Sequence, residues 1–246
     1  MTKTRYPDYF VFTNRSSMMQ RIQDAVENGY LYFVQGTVKH EKAVCVLDKL
    51  IERYKTNQTP TQRLRAYEKG ESLVQLFAYI SPTEPEKGLD FYLLHRPAQG
   101  QKCPTISSEP WKTATNRQTR IESRGYELVR VPNERTHKSS KTPLKPYRWT
   151  WRYNAERLEQ FEQKLKRCAL RNSEEEYRSL FDTLKKTLGF SGSREQAKTM
   201  LVRLEMNWRR ISSQEPPICF DGKLPTARRM KNIGVILSEL PKQSLL

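Results

Sequence analysis

Residues 147–153 (Tyr-Arg-Trp-Thr-Trp-Arg-Tyr) alternate aromatic and polar side chains. In a β-strand, successive side chains point to opposite faces, so the four rings share one face and the arginines and threonine share the other. Two interpretations stay open for the rings. They form the core face of a sheet, or Trp149 and Trp151 are exposed and stack on unpaired bases of a nucleic acid. Both interpretations leave Arg148 and Arg152 available for phosphate.

Basic side chains surround this segment in a stretch that is rich in Ser, Thr and Asn. Lysine and arginine attract phosphate by charge, and neutral hydroxyl and amide donors bind it as well. We therefore expect a nucleic-acid-binding surface on residues 112–152, with a solvated loop that has no partner as the alternative. The basic residues that we assign to this surface are Arg117, Arg120, Arg124, Arg130, Arg135, Lys138, Lys141, Lys145, Arg148 and Arg152.

A second group of basic side chains lies on a predicted helix that Ser193 would cap. Apolar residues from Ala197 to Ile211 recur at helical spacing, and five basic residues fall outside that stripe. A three-helix unit with one basic helix could dock in a major groove. A helical bundle that packs on the first part of the chain is the competing interpretation. The five residues are Arg194, Lys198, Arg203, Arg209 and Arg210.

Signatures of known catalytic sites are mostly absent from the sequence. There is no HxH pair, no P-loop, no HExxH and no GxSxG. A restriction-type nuclease would need Glu-x-Lys near Asp90. The nearby glutamate is Glu127, and the position two residues after it, where lysine should stand, is Val129. His95 could exchange protons near phosphate, although a structural role is the simpler expectation. We expect no catalytic residue, metal site or cofactor.

The cysteines and the apolar segments restrict the compartment. Cys45, Cys103, Cys168 and Cys219 are widely spaced, which gives neither a zinc-ligand pattern nor a disulfide framework. We expect reduced, mostly buried thiols. No run of 18 apolar residues and no apolar signal region are present, so we expect no membrane partner. The expected location is the cytoplasm or nucleoid, or the nucleus if the source is eukaryotic.

The net charge is concentrated in part of the chain. The 246 residues include 44 Lys and Arg against 27 Asp and Glu, for a net charge of +17. Residues 1–100 hold +3, residues 101–150 hold +7 and residues 151–246 hold +7. A concentrated basic region indicates a polyanionic partner.

The elements that must position these side chains form two groups. Strand patterns with two or so helices dominate residues 1–153, whereas helical patterns dominate residues 154–246. We predict an α+β fold in which a mixed or antiparallel sheet with packed helices precedes a C-terminal helical bundle, as two domains, 1–153 and 154–246. The segment 226–240 fits either a last helix or a strand at Ile233–Leu237.

The sequence thus predicts a non-enzymatic nucleic-acid-binding protein that acts as an accessory, initiator or regulatory factor in replication, transfer or regulation. DNA is favoured over RNA because a helical C-terminal part suits a duplex. A nucleic-acid-processing enzyme of nuclease or nickase type, with an unrecognised site, is one alternative. An adaptor that binds an acidic protein is the other. The oligomeric state stays open.

Overall fold

The structure is a computed structural model, and it describes residues 9–101, 109–133, 146–212 and 214–237. These residues form a mixed α+β fold with six α-helices, a six-stranded mixed sheet and a three-stranded sheet. The predicted fold class, with helices in the C-terminal part, is confirmed. No helix in the described ranges is long and apolar enough to cross a bilayer.

The bounds of the elements follow in chain order. The strands are β1 (Phe10–Phe12), β2 (Tyr32–Val38), β3 (Leu73–Ile80), β4 (Leu89–Arg96), β5 (Lys112–Thr113), β6 (Glu122–Ser123), β7 (Tyr126–Pro132), β8 (Tyr147–Tyr153) and β9 (Gly234–Ile236). The helices are α1 (Arg15–Glu27), α2 (His40–Tyr54), α3 (Pro60–Glu68), α4 (Ala155–Arg171), α5 (Glu174–Lys185) and α6 (Ser191–Ser212).

The chain divides into two compact units. The first unit comprises residues 1–121 together with 230–246, and the second comprises residues 122–229. This division differs from the predicted boundary at residue 153, because β7 and β8 belong to the same unit as the helices that follow them. A compact unit need not fold independently, so the two domains 1–153 and 154–246 stay a prediction.

The first unit is built on the six-stranded sheet, whose order is β5-β2-β4-β3-β1-β9. Strand β1 runs parallel to β3, and the other neighbours are antiparallel. Helix α2 buries Ala43, Leu47, Ile51 and Tyr54. Their spacing of three or four residues places them on one face of the helix, which belongs to the hydrophobic core with apolar side chains of β3 and β4.

The last described strand, β9, settles the choice that the sequence left open for residues 226–240. It pairs antiparallel with β1, so that Phe12 lies opposite Gly234. A Cβ atom at Gly234 would lie 2.1 Å from the carbonyl oxygen of Val11, so a side chain does not fit at this close approach. The hydroxyl of Ser17 also donates a hydrogen bond to the Lys231 carbonyl at 2.8 Å.

The second unit combines the three-stranded antiparallel sheet, in the order β6-β7-β8, with α4, α5 and α6. Asn154 caps α4 and Ser173 caps α5, since each side chain accepts a hydrogen bond from a backbone N–H in the first turn of its helix. The largest fully buried side chains in this unit include Trp151 and Trp208. A bulky aromatic core therefore fixes the sheet and the helices that carry most of the candidate site.

Candidate functional site

Strand β8 presents the two faces that its alternating sequence predicts. Trp149, Trp151 and Tyr153 have exposed fractions of 8%, 0% and 1%. This burial agrees with the interpretation of these three rings as a core face, whereas the fourth ring, Tyr147, is 48% exposed and departs from it. A base could stack on Trp149 or Trp151 only if the ring left the core.

The arginines of β8 line an open cleft of about 650 Å³ in the second unit. Arg148 and Arg152 contribute from the strand, while Arg194 and Lys198 contribute from the first turns of α6. Glu195 is the one carboxylate among the described residues that line the cleft. The structure thus brings together four of the predicted basic residues, from two segments that are about 40 residues apart in the sequence.

A hydrogen-bond network holds the start of α6 against β8. The Ser191 hydroxyl accepts a hydrogen bond from the Arg148 guanidinium and lies 2.9 Å from the Thr150 hydroxyl. The Thr150 hydroxyl oxygen in turn accepts from the backbone N–H of Gly192 at 3.0 Å. A Cβ atom at Gly192 would lie 2.8 Å from the carbonyl oxygen of Trp151. Glycine is therefore needed for the helix to approach the strand this closely.

Helix α6 begins at Ser191, three residues earlier than a cap at Ser193 predicts. Ser193, the expected cap, is fully buried inside the first turn, and its hydroxyl donates to the carbonyl of Phe190 at 3.1 Å. The small side chains of the Ser-Gly-Ser run at residues 191–193 are the feature of the sequence that indicates close packing here. Sequence reasoning missed Ser191, Gly192 and Thr150 because their roles depend on contacts between distant segments.

The four basic side chains of the cleft differ in how their charges are compensated. Arg152 forms an ion pair with Glu127 at 2.7 Å, and the two residues are direct neighbours across β7 and β8. Among the described residues, Arg148, Arg194 and Lys198 form no ion pair with a carboxylate. The cleft therefore carries uncompensated positive charge.

The other basic residues of α6 are mostly paired. Arg203 binds both carboxylate oxygens of Glu162 on α4, and one of these contacts measures 2.8 Å. Arg209 lies within ion-pair distance of Glu205 and Glu215. Arg210 is exposed. Two of the five predicted helical cations are thus held by carboxylates, which weakens the case for α6 as a groove-docking helix.

The remaining predicted basic residues are dispersed. Arg130 stacks over the ring of Tyr147, and Arg124 lies between β6 and β7 with a left-handed φ of 43°. Arg117 and Arg120 belong to the first unit. Four further candidates lie outside the described residues, as does Cys103; they are Arg135, Lys138, Lys141 and Lys145.

The residues considered for catalysis are buried or paired in ways that are typical of structural roles. His95 is fully buried, neither ring nitrogen has a hydrogen-bond partner in the described part, and burial lowers its pKa to about 4. Asp90 accepts a hydrogen bond from the Thr37 hydroxyl at 2.8 Å in the first unit, while Glu127 pairs with Arg152 in the second. No group of three or more metal-ligating side chains occurs in the part of the chain that the structure describes.

The cysteines differ partly from expectation. Cys45, Cys168 and Cys219 are free thiols. Cys168 is buried, and burial raises its pKa to about 11, which makes it a poor nucleophile near neutral pH. The expectation of mostly buried thiols is wrong for Cys45 and Cys219, which are exposed.

Comparison with known proteins gives no relative from which a function could be inferred, so a functional proposal depends on the site. The chain matches no protein-family model, and no curated protein or solved structure matches it.

Proposed function

We propose that this protein binds nucleic acid through the basic cleft formed by β8 and the start of α6. The observation that carries the proposal is the convergence of Arg148, Arg152, Arg194 and Lys198 in one open cleft. Because these side chains come together from separate elements, the local density of positive charge is higher than the net charges of the sequence segments indicate.

The charge balance of the cleft favours a polyanion. Three of its four cations have no carboxylate partner in the described ranges, and the surrounding unit, residues 122–229, has a net charge of +10. Clustered positive charge of this kind concentrates phosphate at a surface and releases counterions when phosphate binds.

The neutral groups of the cleft suit phosphate as well. The Thr150 and Ser191 hydroxyls lie beside Arg148, and hydroxyl and amide groups supply many phosphate contacts in nucleic-acid complexes. The network fixes the Arg148 guanidinium before any ligand arrives, so less side-chain entropy is lost on binding.

A matched pair of charge reversals tests this site. Lys198→Glu places a carboxylate in the cleft, and Lys166→Glu makes the same change on the exposed surface of α4. We expect Lys198→Glu to weaken binding of a 25-nucleotide oligonucleotide by roughly tenfold at 50 mM salt and Lys166→Glu by less than about twofold. Binding is measured by fluorescence anisotropy with DNA and RNA. Equal losses in both variants would contradict binding at the cleft.

The salt dependence gives a second measure of the same proposal. If three to four phosphates contact the cleft, the log–log slope of affinity against salt is about −2 to −3 on a single strand. Lys198→Glu should make that slope shallower by the contribution of about one phosphate contact. Competition by polyglutamate that equals competition by unlabelled oligonucleotide would instead indicate an acidic protein partner.

A further inference from the structure

We infer that Tyr147, with Arg130 stacked on its ring, is a base-stacking position that makes the protein prefer single-stranded nucleic acid to duplex. The inference rests on the proposed function, because it concerns the same ligand at the adjoining end of β8.

Tyr147 differs from the other aromatic residues in its exposure. It is 48% exposed, and it is the one exposed aromatic residue in the described ranges. The other rings of its strand are buried in the core of the second unit. The stacking role that the sequence offered to Trp149 and Trp151 therefore falls to the first residue of the same strand.

Arg130 adds a second planar group to this position. Its guanidinium carbon lies 4.5 Å from the centre of the Tyr147 ring, which is within the range of a cation–π contact. Arg130 is exposed and forms no ion pair with a described carboxylate. Aromatic rings and arginine planes are the surfaces on which unpaired bases stack. The pair thus combines a stacking surface with a positive charge for the adjoining phosphate.

The position of Tyr147 relative to the cleft links base and backbone. Tyr147 immediately precedes Arg148, and its neighbour across the sheet, Pro132, lines the cleft. Alternation along β8 directs the Tyr147 and Arg148 side chains to opposite faces, and β8 is an edge strand of the three-stranded sheet. A nucleic-acid strand that crosses this edge can place phosphate at Arg148 and a base at Tyr147.

Only a single strand can make both contacts without disruption. Its bases are unpaired and free to rotate onto an aromatic ring, and such stacking tolerates any base. In a duplex the bases are already paired and stacked, so Tyr147 meets only the backbone. The phosphate contacts of the cleft are open to both forms, whereas the contact with Tyr147 distinguishes them.

The test compares three tyrosine variants on two ligands. The proteins are wild type, Tyr147→Ala, Tyr147→Phe and, as a matched control, Tyr67→Ala. Tyr67 also lies beneath an arginine, since the Arg96 guanidinium is 3.8 Å from its ring centre, but it belongs to the first unit. The ligands are a 25-nucleotide oligothymidine and a 25-base-pair duplex, with affinity measured by fluorescence anisotropy and folding checked by circular dichroism.

We expect Tyr147→Ala to lose about tenfold in affinity for the single strand, which is the size of one lost stacking contact. Its duplex affinity and its salt slope should stay unchanged, because no phosphate contact is removed. Tyr147→Phe should keep wild-type affinity because the ring remains, and Tyr67→Ala should match wild type. Photocrosslinking of an oligonucleotide that carries 5-iodouracil should give an adduct at Tyr147 in the wild-type protein.

The outcomes separate this inference from the proposed function. If Lys198→Glu weakens binding but Tyr147→Ala does not, the cleft stands and the stacking position is wrong. A similar loss on both ligands in Tyr147→Ala also overturns the preference for single strands. If the wild-type protein binds neither ligand at 50 mM salt, the proposed function itself fails.

Discussion

The side-chain amide of Gln196 pairs with both backbone groups of Tyr153. Its oxygen accepts from the Tyr153 N–H at 2.7 Å, and its nitrogen donates to the Tyr153 carbonyl at 3.3 Å. Gln196 lies on α6, and Tyr153 ends the edge strand β8. The amide thus occupies backbone groups that would otherwise be open to another strand, and it fastens the helix to the strand.

Removal of this amide should destabilise the second unit. Gln196→Ala leaves two backbone groups of Tyr153 without protein partners, at a cost of about 1–3 kcal/mol in the free energy of unfolding. Gln163→Ala on α4 is the control, because within the described part of the chain its amide bonds to the exposed Glu159, at 3.4 Å. Urea unfolding, followed by tryptophan fluorescence, measures both variants. The pairing is unimportant to stability if the two midpoints shift equally.

Gly192 provides a second test, in which the sign of the effect is informative. In an exposed helix, replacing glycine by alanine stabilises by about 1 kcal/mol. Here the new Cβ atom would lie 2.8 Å from the Trp151 carbonyl oxygen and 3.0 Å from a methyl group of Thr150. The backbone oxygen cannot rotate away, so the helix must shift. We expect Gly192→Ala to lower the free energy of unfolding by about 1–3 kcal/mol.

Binding should respond to the same change. A shift of the helix start would pull Ser191 away from Arg148, which would free the guanidinium from its present orientation. We therefore expect Gly192→Ala to bind oligonucleotide more weakly than wild type under conditions where it is fully folded. Denaturation curves and anisotropy titrations check the two effects separately. A stabilised variant would show that the strand and helix do not meet as described.

Local patterns were enough to predict much of the second unit. The alternation in residues 147–153 identified β8 and its two faces, and the apolar spacing from Ala197 onward identified α6. Both patterns arise within one element, where neighbouring residues in the sequence determine which face a side chain occupies. The sequence alone does not identify β9, because a strand of three residues is too short to show a period.

The composition of the site was not predictable in the same way. Spacing along the chain cannot show that Arg203 finds Glu162 on another helix or that Arg152 faces Glu127 across the sheet. These pairings decide which cations remain available to a ligand. The sequence therefore predicts a list of basic residues, and the positions of β8 and α6 decide which four of them meet in the cleft. The pairings then decide which of those four lack a carboxylate partner among the described residues.

The buried imidazole of His95 should make the stability of the first unit depend on pH. It packs against the ring of Trp111, with the ring centres 5.2 Å apart, and burial lowers its pKa from 6.5 to about 4. The unfolded chain therefore binds a proton at a higher pH than the folded protein does. Stability from neutral His95 is complete above about pH 6.5 and is lost as the pH falls towards 4.

The size of that loss is testable by substitution. A shift from 6.5 to about 4 corresponds to a maximum of about 3 kcal/mol. His95→Leu removes the titrating group while it keeps an apolar side chain in the core. We expect urea midpoints measured from pH 7.5 to 4.5 to fall more steeply for wild type than for His95→Leu, since carboxylates contribute equally to both. Parallel curves would mean that His95 is protonated in the folded protein or that it can reach water.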